Sequence, residues 1–194
     1  MAARESFDKT LVELQDKLIE MSELTVSALD KSFTALKTQD LELAVEVIEE
    51  DTAIDILDTD INNFVVWLIA KEQPVARDLR KIIGALKISL EVERVADFAV
   101  NIAKATIKIG SCESLLSITN LEEMKDLSIK MLQESVQSFL REDINLAKEV
   151  GELDDQVDDL YDATSKKVLS YLSEHPEQMN QLTHFNEQGR AKMV

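Results

Sequence analysis

Residues 18–57, LIEMSELTVSALDKSFTALKTQDLELAVEVIEEDTAIDIL, decide the fold because they occur twice. Displaced by 103 positions without a gap they fall on 121–160, with 15 identities in 40 positions. Shared helical periodicity would match apolar classes, but it would not match Asp40, Asp51 and Asp55 to Asp143, Asp154 and Asp158. A duplicated helical unit accounts for all of these matches.

Outward from that repeat, every segment reads as helix. Phe7, Leu11, Leu14, Leu18, Met21, Ala28 and Ala35 step at helical spacing and define a first helix. Thr38 to Asp40 interrupts it, and Asp40 is positioned to cap a second helix running to about Lys71. Val47, Ile54, Leu57, Ile61, Phe64 and Leu68 form the inner face of that helix, and Trp67 is expected in the core beside them. Pro74 suits the first position of a third helix, where its missing N–H costs nothing, and Gly110 suits the residue just past its end near Ile109.

A loop, GSCESLLSI, spans 110–118, and Thr119 with Glu122 reads as a capping box. The fourth helix runs to about Arg141, Asp143 restarts the chain, and a fifth continues to about Ser173. Pro176 opens a sixth. No segment has strand periodicity. The expected fold is all-α, with two tandem three-helix-bundle repeats, 1–110 and 111–194, built from six long antiparallel helices, the last short or incomplete.

Composition removes several functional classes. Lys and Arg number 21 against 38 Asp and Glu, a net charge of −17, which opposes nucleic-acid backbones and anionic membranes. The single Cys112 excludes an intrachain disulfide and fits a reducing compartment. The opening MAARESFDKT carries charges where a signal peptide has its apolar core, and the longest apolar run, Phe64–Ala70, is too short to span a bilayer. A cytoplasmic protein is expected.

The third helix, PVARDLRKIIGALKISLEVERVADFAVNIAK at 74–104, carries Glu93, Asp97 and Asn101 at i, i+4 and i+8 on one face, among apolar neighbours. The second helix carries Asp51, Asp55, Asp58 and Asn62, read as lying beside its apolar stripe. Antiparallel pairing about Glu72–Gln73 brings the two rows level to within about 7 Å, at about 1.5 Å per residue. An all-oxygen cluster of this kind suits a hard cation such as Mg²⁺, Ca²⁺ or Mn²⁺, or carboxylate-bound iron. The competing reading is a solvated acidic face. There is no Glu-x-x-His, Gly-rich phosphate loop, paired Cys or catalytic-triad signature. Arg77, Asp78 and Arg80, with Lys81, open the third helix either as intrahelical ion pairs or as a docking surface.

The repeat also shows a deficit. With one residue deleted, Pro74 falls on Pro176, and the twin of Glu93 would lie just beyond Val194. The tail EQMNQLTHFNEQGRAKMV lacks the apolar density of the third helix. An exposed apolar groove lined by Leu127, Met131, Leu132 and Val136 is therefore expected on the second repeat, with self-association as its consequence.

ARDLRKIIGALKISLEVERVADFAVNIAK at 76–104, EEDTAIDIL at 49–57, FDKTLVELQDKLIEM at 7–21 and the duplication together resemble the PhoU family of phosphate-uptake regulators. The resemblance implies two three-helix-bundle repeats. It also implies a Glu/Asp-x-x-x-Asp motif in each repeat, associated with multinuclear metal clusters. On that basis Glu93 and Asp97 match the motif, Asn101 its usual Asn, and Asp51 and Asp55 the acids opposite. Iron is the implied metal, with Mg, Ca, Mn and Zn as alternatives. The implied role is non-catalytic: a cytoplasmic, homodimeric adaptor that restrains phosphate-starvation signalling. Its partners would be the phosphate ABC transporter and a sensor histidine kinase, and it would meet the membrane only through them. The chain departs from the family in lacking the second motif. A carboxylate-bridged metal enzyme and a plain structural bundle are the alternative functions.

Overall fold

A computed structural model of the chain describes residues 2–109 and 113–176. It is all helical: α1 Ala2–Thr38, α2 Leu41–Glu72, α3 Ala76–Ile109, a short α4 Glu113–Ile118, α5 Leu121–Arg141 and α6 Ile144–Glu174. The helix expected from Pro176 onward, and the Gly110 stop, lie outside the described residues.

The duplication is visible in the turns. Gln39 and Glu142 both adopt the left-handed conformation, at φ 57° and 54°. Each is followed by an extended aspartate that caps the next helix. Asp40 accepts from the Leu43 amide at 3.0 Å, and Asp143 accepts from the amides of Asn145 and Leu146 at 2.9 and 3.2 Å. Each cap satisfies amides that the first helical turn would otherwise leave unpaired.

Three local expectations differ from the structure. Pro74 sits in the turn, two residues before α3 begins at Ala76. The turn is made instead by left-handed Gln73, whose amide bonds the Ile69 carbonyl and closes α2. Part of the expected 110–118 loop is helix α4. The Thr119–Glu122 capping box does not form, and Glu122 receives Lys37 of α1 at 2.9 Å instead. The Thr119 hydroxyl donates to the Leu116 carbonyl at 3.2 Å, and the Asn120 side-chain oxygen accepts from Lys167 at 2.7 Å. The start of α5 is thereby tied to α6 rather than to itself.

α1, α2 and α3 pack against one another as a three-helix bundle, and α5 pairs with α6. The two units meet chiefly along α1 and α5. Leu18, Met21, Val47, Ile61, Leu68 and Ile82 are fully buried in the first bundle, each stabilising it by about 1.5–3 kcal/mol. Gly84 lets α5 approach α3: a β-carbon there would lie 2.8 Å from the Phe139 ring. Ion pairs flank this joint. Arg77 and Lys81 both reach Glu142, Lys37 reaches Glu122 at 2.9 Å, and Lys125 reaches Asp30 at 2.9 Å. Trp67 is not in the core. It is 45% exposed, tilted against the Phe64 ring at 5.4 Å and covered by the Lys71 ammonium 4.4 Å above its own ring.

Candidate functional site

The buried residues of α2 are Ala44, Val47, Ile54, Ile61, Val65 and Leu68. They follow alternating steps of three and four with two positions missing, 51 and 58. Both are aspartates. Asp51 and Asp58 thus occupy the apolar stripe itself, not its flank as the spacing alone had indicated. α3 presents an unbroken stripe of the same period, Ile82, Ala85, Ser89, Val92, Ala96, Ala99 and Ala103. Its small residues permit close approach to α1 and α2. Glu93 and Asp97 each follow a member of this stripe by one residue, at the border of the α2–α3 seam.

Five carboxylates are brought into one electrostatic neighbourhood. Burial pushes the Asp51 carboxyl above the usual carboxylate range, and the charges of Asp55 and Asp97 push it further. Lys104 opposes that rise. Burial likewise raises Glu93, followed by repulsion from Asp97, Asp58, Asp55 and Asp51. Arg94 does not relieve this repulsion, because its guanidinium turns to Glu91 at 3.3 Å. Asp55, Asp97 and Asn101 stand at the exposed lip, Asn101 one turn beyond Asp97. Lys104, one turn further on the same face, was not singled out by sequence reading, although its spacing from Asp97 and Asn101 could have indicated it.

The donor set fits a hard cation, being all oxygen. One atom in it, Asp58 Oδ1, is buried with no hydrogen-bond partner among the described residues. Among the described residues, no three His, Cys, Asp or Glu side chains converge on a common coordination point. The acids share a field, and bringing them to one ion requires side-chain rotation. Asp51, Asp55, Glu93, Asp97 and Asn101 would hold such an ion, which would cancel the repulsion. The residues at the seam include no histidine or cysteine. His175 stacks on Tyr171 at the end of α6, while Cys112 and His184 lie outside the described residues. The Arg77–Asp78–Arg80 patch is divided: Arg77 is engaged with Glu142, and Arg80 is exposed. No helix among the described residues is long and apolar enough to cross a membrane.

The PhoU domain model matches residues 18–106 and again 121–186. A phosphate-specific transport system accessory protein PhoU homolog of Aquifex aeolicus is 38% identical over 178 residues, covering 92% of this chain and 80% of the relative. The homolog of Clostridium acetobutylicum is 33% identical over 183 residues, covering 94% and 84%. The crystal structure of PhoU from Pseudomonas aeruginosa superimposes with a TM-score of 0.81 at 27% identity, over 90% of this chain and 84% of that one. The phosphate transport system regulatory protein PhoU from Streptococcus pneumoniae gives a TM-score of 0.77 at 27% identity, over 87% and 79%. Two matches of one domain model, a duplicated helix–turn–helix unit and these neighbours agree: the chain belongs to the PhoU family.

Proposed function

We propose that this chain regulates phosphate transport as a non-catalytic accessory protein. The observation that carries the reading is the match, over most of the chain, to relatives named as accessory proteins of the phosphate-specific transport system. In the fuller form of the proposal it acts in the cytoplasm as a homodimer. It bridges the phosphate ABC transporter and a sensor histidine kinase and so restrains phosphate-starvation signalling. Arg80 and Asp78, beside the Arg77–Glu142 pair, form its docking patch.

The same proposal gives the α2–α3 seam a metal. Asp51, Asp55, Glu93, Asp97 and Asn101 hold it, iron is the first candidate, and Asp58 Oδ1 supplies the motive, a buried acceptor in need of a charge partner. Two measurements test the reading. Expression in a bacterium lacking its own PhoU should restore repression of a phosphate-starvation reporter in high phosphate. Soluble protein that leaves the reporter fully derepressed overturns the regulatory role. Elemental analysis of protein purified without chelator should find stoichiometric metal, which disappears in Glu93→Ala/Asp97→Ala. Metal-free wild type, or a metal-retaining double variant, overturns the metal site and leaves the regulatory role standing.

A further inference from the structure

Along one face of α3 the charge changes sign. Glu93 and Asp97 are negative, Asn101 is neutral and Lys104 is positive, at successive steps of four, four and three residues. The facing row of α2 changes in the same sense, with Asp58, Asp55 and Asp51 giving way to Ile48, which packs on the core. At one end of the seam Asp58 Oδ1 is buried without a hydrogen-bond partner among the described residues; at the other stands the exposed Lys104.

Helix geometry directs that ammonium back along the row. Side chains on a helix tilt toward its N-terminus, so Lys104 lies over the turn of Asn101 and Asp97 rather than onward toward Ile109. Its field reaches across the seam, where it holds the Asp51 carboxyl down against burial, Asp55 and Asp97. Neighbouring cations are engaged elsewhere. Arg94 turns to Glu91, and Lys31 of α1 takes Glu46 and Glu50 of α2. Lys104 forms no salt bridge among the described residues, so its charge acts on the row as a whole. We propose that Lys104 is the internal counter-ion of the α2–α3 seam, and that it sets the seam's affinity for an added cation and its preference for that cation's charge. The inference rests on the seam taking a cation, and goes beyond it by naming the residue that limits how tightly. A fixed positive charge repels an incoming ion in proportion to that ion's own charge. At about 10 Å in largely aqueous surroundings it weakens a divalent ion about fivefold and a trivalent ion about tenfold.

The test compares the wild type with Lys104→Gln, Lys104→Arg and Lys148→Gln, the last an equal change of net charge at an exposed position of α6. Mn²⁺ binding is titrated by electron paramagnetic resonance and Tb³⁺ binding by luminescence, on chelator-stripped protein at low salt. Lys104→Gln should bind Mn²⁺ about fivefold and Tb³⁺ about tenfold more tightly, and both gains should shrink in about 0.5 M salt. Lys104→Arg and Lys148→Gln should match the wild type. An unchanged affinity in Lys104→Gln, or the same gain in Lys148→Gln, overturns the proposal. A second comparison needs no added ion. In chelator, Lys104→Gln should lower the urea midpoint of the wild type, and lower it less in an Asp51→Asn background. Equal losses in the two backgrounds overturn the counter-ion. Failure of every form to bind either ion removes the metal reading and with it the affinity role, while the urea comparison still decides whether Lys104 is the counter-ion.

Discussion

Replacing Glu93 by Gln should stabilise the metal-free protein at neutral pH, an uncommon outcome for a half-buried residue in a packed helix. Glu93 is raised above its ordinary value by burial and then by Asp97, Asp58, Asp55 and Asp51, while Arg94 is turned away to Glu91. Asp97 lies one helical turn along, about 6 Å. Two unit charges at that separation repel by about 0.7 kcal/mol in water and about 3 kcal/mol at an effective dielectric of 20. The site is partly wet, the three α2 acids add to the repulsion, and salt subtracts from it. The net gain on neutralising Glu93 is about 1–2 kcal/mol at low ionic strength. For a chain of this size that raises the melting temperature by about 2–8 °C.

The pH dependence follows from the direction of the shift. A carboxyl raised in the folded state binds more protons there than in the unfolded chain, so stability falls as pH rises through the interval above about 4.3. Gln carries no such loss. The gap between variant and wild type should be near zero where both states are protonated, open as pH rises through that interval, and close again in about 1 M salt. A divalent cation should stabilise the wild type more than Glu93→Gln. Urea melts across pH 4 to 8, with and without Mn²⁺, measure all of this. A Glu93→Gln protein less stable at pH 7, or a gap independent of pH, refutes the electrostatic account of the seam.

Two further outcomes test the fold. Asp40→Ala and Asp143→Ala should each cost about 1 kcal/mol in urea denaturation, and about 2 kcal/mol together, because they cap separate helices through separate turns; a loss in only one of them would show that the turns are not equivalent. Gly84→Ala brings a methyl group 2.8 Å from the Phe139 ring, so the ring must move; the expected cost of about 1–3 kcal/mol, less about 1 kcal/mol of helix propensity, should shrink when Phe139→Leu is combined with it.

The long elements were legible because their signals are local and redundant. Asp40 and Asp143 announce their helices in sequence, and the 103-residue repeat ties one to the other. The start of α5 was not legible, because Asn120 and Glu122 find partners in α6 and α1 that only the folded chain brings near. Trp67 was misplaced for a related reason: Phe64 and Lys71 cover it from its own helix, so it needs no other element. At the seam, spacing set Asp51 and Asp55 level with Glu93 and Asp97, and in the folded chain Asp51 is raised by Asp55 and Asp97 and Glu93 by all the others. It misjudged Asp51 and Asp58, since a polar residue at a stripe position looks in sequence like a residue beside the stripe. Only burial separates the two cases.

Glu142 gives the second of the twin turns a property that the first lacks. In both repeats a left-handed residue ends one helix before an aspartate begins the next, but Gln39 is neutral, whereas Glu142 also receives Arg77 and Lys81 from the start of α3. Opening of the α5–α6 turn therefore releases the N-terminal end of α3, and detachment of α3 leaves the turn without its counter-charges. The two events belong to one cooperative unit. In hydrogen exchange, the amides at the beginning of α3 and of α6 should open together, although 67 residues separate Arg77 from Ile144 along the chain.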